Sequence, residues 1–151
     1  MPIIKDQQIT ENTWTFVADE TPLIYGDITV SLSRWNDDQQ QLLKHSGKLG
    51  LRLTTSDDIS TLTQKDLSKF SLIELTFEAF TDGRSFSQAR LLRSQYGYQG
   101  EIRAVGNFMA DQVFYLHRVG VTSFEITDKK QIEVALAAFR DFSFQYQKST
   151  E

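Results

Sequence analysis

Arginine side chains are the residues in this sequence whose type and spacing most directly suggest chemistry. Arg84 directly follows Asp82 and Gly83. Arg90 and Arg93 come soon after it. A guanidinium group binds phosphate-, sulfate- or carboxylate-like oxyanions through paired N–H donors. The Asp-Gly-Arg run also precedes a predicted helix, whose free N-terminal amides attract an anion. This combination favours a pocket for a small anion.

Three arginines are predicted to face buried surroundings. At about 100° per residue, Arg93 falls within the apolar arc of its helix, and Arg90 lies beside that arc. Arg103 lies in the middle of a predicted strand. An unpaired buried charge is prohibitively costly, so each group needs a carboxylate, backbone acceptors or a bound anion.

Two interpretations of these arginines stay open. They hold a small anion, or they form internal salt bridges with Asp82, Glu101 or Asp111. Gln112 lies within the apolar stripe of its helix, so it also needs a partner, either a buried structural hydrogen bond or a ligand. The candidate ligand-binding residues are Asp82, Gly83, Arg84, Arg90, Arg93, Arg103, Asp111 and Gln112.

Other kinds of chemistry find little support. The chain has no cysteine, which excludes disulfides, thiol redox chemistry and cysteine-ligated metal sites. It contains no H-x-x-x-H metal motif and neither of the glycine-rich fingerprints, G-x-G-x-x-G and G-x-x-x-x-G-K-[ST], that usually mark nucleotide binding. The sequence therefore predicts no metal site and shows no evident cofactor. Whether the protein is an enzyme stays open.

The charge of the chain bears on its partners and location. Sixteen Lys and Arg against 20 Asp and Glu give a formal net charge of -4, which disfavours binding to a nucleic-acid backbone or an anionic membrane. No N-terminal apolar run resembles a signal peptide, and no segment reaches the roughly 20 apolar residues of a membrane helix. These features predict a cytoplasmic protein that binds neither nucleic acid nor membrane.

Strands and helices alternate along the chain and would position these residues. Strands are predicted at 28–32, 49–55, 72–77, 101–106 and 122–127, with amphipathic helices between and after them. This rhythm predicts βαβ units. We expect one α/β domain over residues 1–151, with a mostly parallel open sheet of about five strands and helices on both faces. Residues 1–25 are predicted to form an irregular arm or an edge strand. Ligands of such sheets collect at the carboxyl ends of the strands.

The stretch from Phe80 to Phe124 resembles the signature region of a bacterial family, domain of unknown function 934. Its pattern runs F-x-D-G-R-x-x-S-x-A-R-x-L-R, then G-Y-x-G-E-x-R-A-x-G, then D-Q and R-x-G. The matching positions are Phe80, Asp82, Gly83, Arg84, Ser87, Ala89, Arg90, Leu92, Arg93, Gly97, Tyr98, Gly100, Glu101, Arg103, Ala104, Gly106, Asp111, Gln112, Arg118, Gly120 and Phe124. Where the family often has a second Gly and a Cys, this chain has Ser85 and Val119.

The resemblance implies a role in assimilatory sulfite reduction, where such proteins are regarded as probable oxidoreductases, but it supplies no catalytic residue. It favours an accessory protein that helps a haem and iron–sulfur sulfite reductase by assembly, docking or electron transfer. A second hypothesis, from the residues, is a small enzyme or sensor that binds a sulfur-containing anion or a nucleotide near Asp82 and Arg84. A third is a homodimer with a purely structural arginine network.

Overall fold

The computed structural model describes residues 2–78, 83–108 and 110–150. Three short strands come first, and strands then alternate with helices. The strands are β1 Pro2–Lys5, β2 Gln8–Glu11, β3 Thr15–Phe16, β4 Ile28–Ser31, β5 Leu49–Leu53, β6 Leu72–Phe77, β7 Glu101–Gly106 and β8 Ser123–Glu125. The α-helices are α1 Leu32–Leu43, α2 Gln64–Leu67, α3 Arg84–Ser94, α4 Val113–Arg118 and α5 Lys129–Thr150, and short 3-10 turns lie at Ile59–Thr61 and Ala110–Gln112.

All of these strands form one curled sheet in the order β2-β1-β8-β7-β6-β5-β4-β3. Strands β3 to β8 are parallel, whereas β1 runs antiparallel to β8 and β2 antiparallel to β1. The predicted α/β class and the parallel part of the sheet are confirmed. The prediction of about five strands is wrong, because residues 2–16 add three. Strands of two to four residues are too short to show a clear alternation of apolar and polar side chains.

The helices pack on one face of the sheet. From β3 to β8 the strand order follows the chain order, so right-handed crossovers always place the connecting helix on the same side. Leu53, Leu75, Ala104 and Phe124 lie in register across four neighbouring strands and belong to the hydrophobic core that the helices cover. The prediction of helices on both faces is therefore wrong. A doubly wound sheet requires the strand order to reverse, and the alternation of elements does not specify that.

The opposite face carries charges. Arg52, Glu74 and Arg103 are paired in register on β5, β6 and β7, and they alternate with the residues that face the helices. We call this surface the charged face. The side chains of Trp14 and Phe16 reach over it. A Cβ atom added at Gly50 would lie 3.2 Å from the ring of Trp14, and the Arg52 guanidinium lies 4.3 Å from the centre of the Phe16 ring.

Polar side chains cap the starts of two helices, α2 and α5. Thr63 and Asp66 form a capping box at the start of α2, and the Asp128 carboxylate accepts a hydrogen bond from the Lys130 amide at the start of α5. Asn107 donates its side-chain amide to the Glu78 carbonyl. Within the described ranges, no helix combines the length and apolar character needed to cross a bilayer.

Candidate functional site

A groove of about 570 Å³ runs between α3 and α4 and carries three arginines. On α3, residues three and four positions apart share one face, and α4 supplies the opposite wall in the same way. We call this the arginine groove. Its lining residues are Phe86, Arg90, Arg93, Ser94, Tyr115, Arg118, Val119 and Gly120. None of these lining residues is acidic.

Arg93 holds the wall of the groove together. Its guanidinium donates to the carbonyls of Tyr98 at 2.8 Å, Gly100 at 2.7 Å and Gly120 at 2.8 and 3.1 Å. These bonds join the end of α3 to the segments that lead into β7 and β8. Burial lowers the pKa of Arg93, partly offset by Tyr98, but an arginine side chain stays protonated in proteins. Arg93 therefore adds positive charge while most of its donors are occupied.

Arg90 and Arg118 stand on opposite walls of the groove and are both exposed. In the part of the chain that the structure describes, neither side chain has an ion-pair or hydrogen-bond partner. Among the side chains that the structure describes, no acid therefore neutralises their charges or that of Arg93, although the whole chain has a net charge of -4. The arginine groove thus concentrates positive charge and offers the guanidinium N–H donors of Arg90 and Arg118 to a ligand.

Arg103 lies on the charged face, away from the groove, and is 2% exposed. Its guanidinium donates to Glu101 at 2.7 Å, to Asn12 at 2.9 Å and to the Ser123 hydroxyl at 3.0 Å. Lys5 forms a second ion pair with Glu101 at 3.0 Å. For Arg103 the structure thus shows an internal salt bridge, with one of the three acids that the sequence offers.

The carboxyl of Glu101 responds to these contacts. Burial by itself would raise its pKa, but hydrogen bonds from Ser123 and Lys5 and the charge of Arg103 outweigh burial. The pKa of Glu101 therefore lies below its ordinary value, and the carboxyl is ionised at neutral pH. The network at Arg103 thus joins two cationic side chains to one carboxylate.

The structure separates the remaining candidates. Arg84 begins α3, and the helix rise of about 1.5 Å per residue places its backbone roughly 13 Å from that of Arg93. Gly83 precedes it, and Asp82 lies outside the described residues. Asp111 is exposed and Gln112 is half-buried, both in the 3-10 turn after β7. Of the predicted candidates, the groove brings together Arg90 and Arg93.

Sequence reasoning missed three residues that the structure brings into prominence. Tyr115 and Arg118 lie three positions apart and both face the groove, which the 3.6-residue period of α4 could have suggested. Glu74 is 1% exposed and pairs with Arg52 at 2.9 Å on the charged face. Its signal was a single acid within the apolar strand LIELTF.

Comparison with known proteins adds a family. The family model described as "Bacterial protein of unknown function (DUF934)" matches residues 50–151, about two thirds of the chain and all of the arginine groove. No significant match was found among curated proteins or among solved structures.

Proposed function

This chain belongs to the DUF934 family, and from that premise we propose that it binds an oxyanion-bearing ligand in the arginine groove. The observation that carries the proposal is the pair Arg90 and Arg118, which both line the groove with no neutralising acid among the described residues. A fork of guanidinium donors matches the geometry of a phosphate, sulfate or carboxylate group.

The residues around this pair strengthen the binding of an anion in the groove. Arg93 adds a third charge that is half-buried and therefore less screened by solvent than the other two. Its own hydrogen bonds hold the chain at Gly120, which lines the groove. A ligand thus meets a wall that is already fixed, which reduces the entropy lost on binding. We assign Arg90 and Arg118 to direct contact and Arg93 to positioning.

Removing one contact arginine should weaken binding of inorganic phosphate or sulfite about tenfold. A hydrogen bond to a charged group contributes about 1.5–3 kcal/mol, and about 1.4 kcal/mol corresponds to a factor of ten. Titration calorimetry at low ionic strength on Arg90→Gln and Arg118→Gln measures this loss. Lys44→Gln removes an exposed charge beyond the end of α1 and should leave affinity within twofold. Equal affinity in all three variants would remove the groove as the site.

The setting for this binding is a separate proposal. We propose that the protein is an accessory of assimilatory sulfite reduction. The residues from Phe80 to Phe124 resemble proteins of that pathway, and sulfite and sulfate are oxyanions of the kind that we propose the groove binds. Deletion of the gene should then impair growth on sulfate or sulfite, and the purified protein should retain the reductase in a pull-down. Normal growth with no physical association would refute this role.

A further inference from the structure

The size of the arginine groove bears on the identity of its ligand. Its volume of about 570 Å³ lies within the range of roughly 300–1,000 Å³ that is usual for sites of organic ligands. A bare oxyanion between Arg90 and Arg118 would fill a small part of it. The rest of the groove has room for a larger body that is attached to the oxyanion.

The lining next to the arginines is aromatic. Tyr115 is 49% exposed, lines the groove, and lies three positions before Arg118 on the same face of α4. Phe86 forms part of the opposite wall, and its ring packs edge-on against Phe77 with ring centres 5.8 Å apart, which keeps it in place. A planar ring can stack on an aromatic side chain or on a guanidinium plane. The groove therefore offers a surface for a planar ring beside a site for an oxyanion.

We propose that the ligand of the arginine groove is a nucleotide, with its phosphate between Arg90 and Arg118 and its base against Tyr115. This inference rests on the proposed function and specifies its ligand. The glycine-rich fingerprints of nucleotide binding, which the sequence lacks, serve sites at helix N-termini. Here two helix flanks supply side chains instead, so the absence of those fingerprints does not bear on this site.

Calorimetric titrations with adenosine monophosphate, ribose phosphate and inorganic phosphate test the proposal at one ionic strength. Adenosine monophosphate should bind at least about tenfold more tightly than the other two, since stacking of one base contributes about 1–3 kcal/mol. Tyr115→Leu should lower its affinity about fivefold to tenfold and leave that of inorganic phosphate within twofold. Arg90→Gln should weaken all three ligands.

The matched control is Tyr25→Leu, which removes a tyrosine that is 95% exposed and lies outside the groove. It should change no affinity, and circular dichroism should show both tyrosine variants folded. If inorganic phosphate binds through Arg90 but the nucleotide binds no more tightly, or if Tyr115→Leu has no effect, the nucleotide is refuted and the anion groove stands. If no ligand binds at all, both proposals fail.

Discussion

Replacing Arg103 by methionine should lower the free energy of unfolding by about 3–5 kcal/mol, the cost of removing one partner from a buried ion pair. The side chain is 2% exposed, so water cannot take over its contacts. Its loss leaves the Glu101 carboxylate with the half-exposed Lys5 and the Ser123 hydroxyl, and it leaves the Asn12 oxygen without its guanidinium donor. Urea denaturation of the wild type and the variant measures the difference.

Arg118→Met serves as the matched control, because it removes an exposed arginine that has no described side-chain partner. Its effect on unfolding should stay within about 0.5 kcal/mol. The pH dependence of stability tests the same network. Glu101 has a lowered pKa in the folded protein, so its contribution to stability is present above the ordinary carboxyl value of 4.5 and is lost as the pH falls below that value. The difference in free energy of unfolding between wild type and Arg103→Met should therefore become smaller in acid. A difference that is already small at neutral pH would contradict the network.

Gly120→Ala should destabilise the fold by about 3 kcal/mol and also weaken phosphate binding. Gly120 has a φ of +112°, which L side chains rarely adopt, and an added Cβ would collide with Cγ of Arg93. Arg93 would have to move, which breaks its bonds to the Gly120 carbonyl and disturbs the wall of the arginine groove. Urea denaturation and calorimetry with inorganic phosphate report the two effects.

Substitutions at two other glycines distinguish the cost of backbone conformation from the cost of the clash with Arg93. Gly97 has a φ of +66° but no atom within 4 Å of an added Cβ, so Gly97→Ala should cost about 1 kcal/mol through backbone conformation alone. Gly83 has a negative φ and the same open surroundings, and Gly83→Ala should stay within about 0.5 kcal/mol. If Gly120→Ala lowered the free energy of unfolding no more than Gly97→Ala does, the close contact with Arg93 would contribute nothing to the effect.

Strands β4 to β8 could be predicted because each carries its own apolar pattern. Residues 72–77 and 101–106 coincide with β6 and β7, and the box of Thr63 and Asp66 marks the start of α2. Strand order could not be predicted, because each βα unit has the same local pattern wherever it lies in the sheet. The pairing of β1 with β8 depends on contacts between distant parts of the chain, such as Ile4 with Phe124.

The candidate site was predictable only in part. The helical period placed Arg93 toward the interior, and the structure shows it half-buried against backbone carbonyls. The cost of an unpaired buried charge predicted a partner for Arg103, and the structure shows that this partner is Glu101. The groove itself needs α3 and α4 side by side, and their relative position follows from the fold and from no local pattern. Tyr115 and Arg118 were therefore not among the predicted site residues.

The pairing of the first strand with the last has a consequence for synthesis on the ribosome. Strands β4 to β7 can associate in turn as they emerge, since each pairs with the strand made just before it. Strand β1 must wait for β8, and such late closure between distant residues is slow. During that interval the free edge of β7 is open to other chains, so a nascent polypeptide stalled before Ser123 should be a preferred client of chaperones.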